Sequence, residues 1–366
     1  MRRLILCSML AAITIAAAGC AQTPALHRFD YAQVIMGVRV NIAAYSEDEV
    51  KARDAARDAF AEMSRVDAAL SDYRPDSEAM RLCDAAGTGP VPVSDLLAEV
   101  LRRSLEFSQA SEGAFDVTSG PLVLLWRQAR REGKLPDPSA LAAARALVGW
   151  RLVSVHLAPG HPPTAALASP GMRLDFGGIG KGFAADRGMA VMRKSGVSCC
   201  LVAAAGDIAV GEPPPDRPGW RIEMADASPV AAPADATSGA AQPALSGANG
   251  APAGVSLPRA FIEVSRCGVS TSGDTEQHVD IDGVRYSHIV DPRTGLGVTR
   301  RVIVTTVAPD AASADAAATA LCVLAPERRA AFLRRFPDIT ACVRLADQPG
   351  FEESVTRGFP TILRDP

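Results

Sequence analysis

Hydrophobic residues recur along this chain in two periods, and the change from one to the other marks out its elements. Over residues 29–46, Val34, Met36, Val38, Val40 and Ile42 alternate with other residues, which predicts a strand. Over 47–70 the spacing lengthens: Phe60, Met63, Val66 and Leu70 lie near helical spacing with charges between them. Ser94 is a good N-cap for another helix with Leu97, Val100, Leu101 and Leu105 on one face. Asp137-Pro138 supplies a cap and a first-turn proline for a further helix ending near Gly149. The second half is richer in strands, expected at 152–157, 199–204, 259–264, 284–290 and 302–307. Helices are expected there at 180–195, 310–324 and 326–336. Trp220, Ile222 and Met224 read as a strand whose partner resumes at Phe261. Between the two, at about 226–256, lies a stretch rich in Ala, Pro, Gly and Ser with almost no large apolar residue. It is read as a disordered surface insertion, because it cannot repay the entropy of ordering.

The N-terminus carries a different pattern. Arg2 and Arg3 precede an apolar run, Leu4 to Ala18, that is too short to span a bilayer as a resident helix. The run ends in Ala17-Ala18-Gly19-Cys20, small residues placed directly before a cysteine. This resembles a bacterial lipoprotein signal. Residues 1–19 would be removed, Cys20 lipidated, and the protein exported to the periplasmic side and anchored to the membrane. The formal net charge of −3 comes without a basic run or an aromatic-interleaved patch, so nucleic acid is not a partner. Of eight cysteines, Cys7 and Cys20 belong to the leader. Cys83, Cys199, Cys200, Cys267, Cys322 and Cys342 show no metal-like spacing and read as small hydrophobes with at most one disulfide.

Five segments can carry chemistry. Leu174 to Gly182 (LDFGGIGKG) precedes a helical pattern, so its backbone N–H groups and the helix N-terminus can face an anion. The bland alternative is a structural tight turn; the spacing is neither a Walker loop nor a dinucleotide fingerprint. Asp315 and Thr319 stand at i and i+4 of a helix, which puts a carboxylate and a hydroxyl on one face. Mg²⁺ takes hard oxygen ligands and keeps waters and phosphates, so such a pair suffices; a solvated Asp beside a packed Thr is the other reading. His288 stands at a strand end before the turn Asp291 to Gly295, as a base, a phosphate contact or a structural histidine. Ser270 to Asp274 reads as a small polar loop, and Gly113 to Trp126 as a loop leading into a helix. No G-x-S-x-G or H-E-x-x-H signature is present.

Together and in this order, these segments resemble the FAD:protein FMN transferase family, also called thiamine-biosynthesis lipoproteins. The resemblance is carried by Met36-Gly37, Leu70 to Tyr73, Gly113 to Thr118, Leu174 to Gly182, Ala205 to Ile208, Thr271 to Gly273, His288 to Gly295 and Ala314 to Leu321. It implies an α+β fold, a single interwoven domain over 29–360 with a mixed or antiparallel sheet, flanking helices and the flavin in a cleft. It implies Mg²⁺ and FAD, cleavage of the pyrophosphate, and attachment of FMN to a threonine of an acceptor flavoprotein, such as a subunit of a membrane redox pump. Carried over by motif, Met36, Tyr73, Ala114, Phe115, Asp116, Asp175 and Lys181 would contact FAD. Gly178 (through its carbonyl), Asp315 and Thr319 would hold the metal. His288 is the candidate base for the threonine proton, with Asp291 serving instead or orienting the turn. Val38 replaces the family's usual Thr, and Ala203 to Asp207 (AAAGD) replaces its Asn-x-Gly-Gly-Asp; Thr275 stands where an aromatic is usual. A magnesium-dependent FAD pyrophosphatase and a non-catalytic flavin-binding lipoprotein are the competing readings.

Overall fold

A computed structural model describes residues 25–225, 259–273, 278–348 and 350–365. The leader with Cys20, the insertion at about 226–256, and Asp274 and Thr275 lie outside the described residues. Helix α1 (Glu49–Leu70) forms where the helical period predicts it: Asp48 caps it by accepting from the Val50 and Lys51 N–H groups, and Ala52, Ala56, Ala59, Met63, Val66 and Leu70 face the core. Then come α2 (Glu78–Asp84) and α3 (Asp95–Ala110), the latter capped by Ser94 as expected. Helix α4 (Gly120–Glu132) follows the Gly113 loop, and α5 (Pro138–Arg145) is capped by Asp137 but stops short of Gly149. The remaining helices are α6 (Gly180–Lys194), α7 (Ala311–Val323) and α8 (Pro326–Leu333).

The main sheet has eight antiparallel strands in the order His27–Ile35, Val38–Ser46, Cys200–Ala204, Asp207–Val210, Cys267–Gly273, Val302–Ala308, Thr340–Gln348 and Gly350–Val355. It therefore draws strands from both ends of the chain, which is the α+β, interwoven arrangement the resemblance implies. Alternation along each strand feeds two layers. Ile42, Ala44, Val202 and Val304 pack with α1, α6 and α7 on one face. Ala43, Val210, Val269 and Cys342 pack on the other face against a three-stranded sheet containing Trp220–Met224 and Ala260–Val264. That small sheet holds the pairing expected from the sequence, with Glu223 opposite Phe261.

Three expectations are corrected. The strand expected over 29–46 is two strands joined by a tight turn at Met36-Gly37, both at positive φ (55° and 70°). Val34 accordingly sits 73% exposed on an edge strand, so the alternation crosses the turn without sharing a face. The expected strand 284–290 is broken into Val284–Ser287 and Val290–Asp291, with His288 in the gap. The loop expected at Ser270 is a strand inside the main sheet, Cys267–Gly273, where Ser270 is buried and donates to Asp207 at 2.6 Å. None of the six described cysteines is in a disulfide, and burial raises the thiols of Cys199, Cys267 and Cys342 to about 11 and Cys200 to about 12. They stay neutral packing residues.

Candidate active site

Helix α7 is buried nearly throughout, and seven of its 13 residues are alanines. Its small side chains let it lie close to α6. Gly182 is required there, because a Cβ would come within 2.2 Å of the Ala311 carbonyl oxygen. The N–H groups of Ala311 and Ala312 are satisfied by the two carboxylate oxygens of Asp186, at 2.8 and 2.9 Å, and that of Ser313 by Asp310. Burial, and then the neighbouring Asp310, push the Asp186 carboxyl up to about 7, against the pull of those two N–H groups.

One turn further on, Asp315 is 1% exposed, and its Oδ2 accepts from the Gly182 N–H at 3.2 Å. Asp315 thereby caps the start of α6, whose own N-cap residue Ile179 offers no side-chain bond. Lys181 Nζ lies 2.8 Å from Asp207 and 3.8 Å from Asp315. Burial, then the charge of Asp207, push the Asp315 carboxyl up to about 7, while Lys181 pulls it the other way. Burial alone would lower the Lys181 ammonium, but Asp207 and Asp315 outweigh it, so it stays charged. Asp207, itself buried, had been only part of a motif in the sequence; its place between Lys181 and Ser270 depends on a strand that read as a loop.

The glycine run is a turn that leads into α6. Asp175 accepts from the Gly177 N–H at 2.9 Å, and Lys181 Nζ donates to the Gly177 carbonyl at 3.3 Å. Gly178 lies flat against α7: a Cβ there would stand 2.9 Å from Thr319 Oγ1 and 3.2 Å from the Phe115 ring. The three expected metal-holding residues, Gly178, Asp315 and Thr319, are thus brought to one wall. No group of three or more His, Cys, Asp or Glu side chains placed to hold a metal occurs among the described residues. The donor set present is one carboxylate, one hydroxyl and a backbone carbonyl. Those are hard oxygens that leave positions for water and phosphate, and they fit Mg²⁺ better than zinc.

These groups line a cleft of about 510 Å³, a size that suits a cofactor-sized molecule. Tyr73, Ala114, Phe115, Asp116, Asp175, Gly178, Lys181, His288, Asp315 and Thr319 all contribute to it. Asp116 spends its carboxylate on the loop: Oδ1 accepts from the Thr118 N–H and hydroxyl, and Oδ2 from the Trp150 N–H at 3.0 Å. Burial raises its carboxyl, with those bonds opposing. Asp175 is likewise raised, by burial and then by Asp72. Met36 is not among the lining residues; it sits at the tip of its hairpin in the left-handed region, with Cε 3.5 Å from where a Gly180 Cβ would stand. Val38 lines the cleft instead, as does Ala205 at φ 54°.

His288 is exposed on the rim, and its segment is fastened on both sides. Trp126 Nε1 donates to the Ser287 carbonyl at 3.0 Å, and the Val298 N–H donates to the Ile289 carbonyl at 2.9 Å. Asp291 does not line the cleft: its carboxylate accepts from the Arg293 N–H, Nε and Nη2 at 2.8–2.9 Å. Arg293 and Arg300 in turn donate to the Val323 carbonyl at the C-terminus of α7. Of the two residues named as candidate bases, the structure places His288 at the cleft and Asp291 in the turn that supports it.

A sequence model of the ApbE family matches residues 36–343. The chain belongs to the ApbE family. Among its relatives, the FAD:protein FMN transferase of Treponema pallidum (strain Nichols) is 31% identical over 346 residues, covering 93% of this chain and 91% of that protein. That of Klebsiella pneumoniae (strain 342) is 29% identical over 331 residues, covering 90% and 87%. In three dimensions the chain is similar to the Pseudomonas stutzeri flavinyl transferase ApbE in its apo form, with a TM-score of 0.73, 28% identity, and coverage of 92% of this chain and 96% of the other. The Vibrio cholerae flavin transferase ApbE gives a TM-score of 0.73 at 26% identity, covering 91% and 98%.

Proposed function

We propose that this protein transfers FMN from FAD to a threonine hydroxyl of an acceptor protein, with Mg²⁺, on the periplasmic side, where it is anchored to a membrane. The observation that carries the reading is the single cleft holding Gly178, Asp315 and Thr319 on one wall, Lys181 beside them and His288 on the rim. The relatives named as FAD:protein FMN transferases support the reaction class. Export and lipid anchoring rest on the leader and Cys20; no helix among the described residues is long and apolar enough to cross a membrane.

Magnesium held by Gly178, Asp315 and Thr319 would supply positive charge to the phosphate oxygens as the pyrophosphate breaks. Lys181, kept charged by its two carboxylates, adds a second cation close by. The acceptor threonine oxygen bonds to the FMN phosphorus while the bond from that phosphorus to the bridging oxygen breaks, so AMP leaves. His288 takes the hydroxyl proton, and its place on the rim suits a group that must meet an incoming protein. Tyr73, at the mouth of the cleft, would face the flavin, and with the flavin seated the site would hold little water.

The test is incubation with FAD, Mg²⁺ and a threonine-bearing acceptor, followed by mass analysis of protein and nucleotide products. Covalently fluorescent acceptor with one AMP per flavin is the expected result. Free FMN accumulating while authentic acceptors stay unlabelled would favour the pyrophosphatase, and intact FAD would favour a binding protein.

A further inference from the structure

Tyr73 poses a physical problem. It is 77% exposed on the short loop after α1, so packing does not fix its ring, yet the proposed function uses it as a wall for the flavin. An exposed tyrosine loses little by rotating away, and ordering it on binding would weaken affinity. What holds it is a residue of α4 that no sequence motif singled out. The guanidinium of Arg127 lies 4.4 Å from the Tyr73 ring centroid. Its Nη1 donates to Asp72 at 2.5 Å, and its Nη2 stands 3.6 Å from Asp175 on the glycine turn. The side chains of Asp72 and Asp175 are both mostly withdrawn from water, so these pairs are less screened than surface ion pairs.

We propose that Arg127 is a positioning residue that fixes Tyr73 against the cleft and so sets the preference of the site for the flavin half of FAD. The proposal rests on the FAD reading above. One planar group performs three tasks at once: it stacks on the ring, and its two terminal nitrogens fork to Asp72 beside that ring and to Asp175 at the glycine turn. Lysine can supply the charge but not the stack and fork together. The loop after α1, helix α4 and the glycine turn are thereby locked together through one side chain. Burial and Asp72 both raise the Asp175 carboxyl, and Arg127 opposes them, consistent with a cation that holds two facing carboxylates in place.

The experiment is a double-mutant cycle on the full mature chain, read as affinity for FAD and for ADP by calorimetry in chelator, where turnover is prevented. Arg127→Gln should weaken FAD by roughly 3- to 30-fold, the range of a partly desolvated cation–π contact, while ADP affinity changes less than about twofold. Arg127→Lys, which keeps a cation between the carboxylates and so guards against misfolding, should show the same selective loss at smaller size. In a Tyr73→Ala background, Arg127→Gln should change FAD affinity by less than about twofold, because the partner it positions is gone. Parallel loss of FAD and ADP would mean that Arg127 meets the phosphates, and additive effects would mean that it acts independently of Tyr73; either overturns the proposal, as does no loss at all. Failure of the wild-type chain to bind FAD would instead overturn the FAD reading on which it stands.

Discussion

Replacing Asp315 by asparagine separates its charge from its shape. The asparagine carbonyl can still accept from the Gly182 N–H, which Asp315 binds at 3.2 Å, so α6 keeps its cap. Alanine would leave that buried N–H without a partner at a cost of roughly 1–3 kcal/mol, which is why asparagine is the cleaner change. Lys181 keeps its closer partner Asp207 at 2.8 Å and is not stranded. What disappears is the only carboxylate among the three proposed metal-holding residues. Turnover should fall by at least ~10²-fold, the scale of losing one preorganised electrostatic stabiliser.

Stability should respond differently, and its pH dependence gives a second check. Burial and Asp207 raise the Asp315 carboxyl from its ordinary 3.8 to about 7. The folded protein therefore holds this proton more tightly than the unfolded chain. The stabilisation from the neutral carboxyl is complete below about pH 3.8 and is lost as pH rises through about 7. Asparagine does not titrate, so at pH 8 in chelator the variant should melt no lower than wild type. Saturating Mg²⁺, at about 100 times its Kd, should stabilise wild type by about 2.7 kcal/mol, or about 4 °C, and the variant far less. The assay is thermal melting with Mg²⁺ or chelator, paired with AMP release from FAD. A variant with near-normal turnover at limiting Mg²⁺, or with an undiminished Mg²⁺ shift, would remove Asp315 from the metal site.

Calorimetry should find FAD bound more tightly than riboflavin, because the glycine turn and Lys181 have no pyrophosphate to hold in riboflavin; equal affinities would count against the site. His288→Ala should slow acceptor labelling far more than it weakens FAD binding, measured by single-turnover labelling beside a binding titration. Trp126→Phe removes the donor to the Ser287 carbonyl, should cost roughly 1–2 kcal/mol in denaturant unfolding, and should lower the labelling rate at saturating FAD; an unchanged rate would show that the His288 segment does not need this anchor.

Much of the site was legible because its chemistry lies in local spacing. Asp315 and Thr319 share a face by helical geometry alone, and Gly178 is glycine because Thr319 leaves no room for a Cβ. The pairing of Trp220–Met224 with Ala260–Val264 was legible because both segments alternate, and their buried residues face one cluster. The strand Cys267–Gly273 was not legible: its small polar residues look like a loop, and only neighbours on both sides supply the partners Asp207 for Ser270 and Thr305 for Thr271, on opposite faces of the sheet. Met36-Gly37 hid a hairpin because the alternation of apolar residues runs straight through its turn. Arg127 carried no signal at all, since its partners, Asp72 and Tyr73 on one loop and Asp175 on the glycine turn, are far from it in sequence.

Asp291 shows why a motif can point to a functional neighbourhood and still leave a residue's task open. It stands three residues from His288 and is a carboxylate, so it reads naturally as an alternative base. In the fold its carboxylate is bound on both oxygens by Arg293, and Arg293 reaches the Val323 carbonyl at the end of α7. Arg300 joins it there, donating to the carbonyls of Val323 and Leu324. Two cations thus satisfy the open carbonyls of the helix C-terminus, while Asp186 and Asp310 satisfy the N–H groups at its start. A helix of buried alanines has little amphipathic character to orient it, so its position is set by these end contacts and by the close fit of Gly182. The same contacts tie the segment bearing His288 to the helix bearing Asp315 and Thr319. Asp291 is one link in that connection: through Arg293 it couples the placement of the proposed base to the placement of the proposed metal ligands.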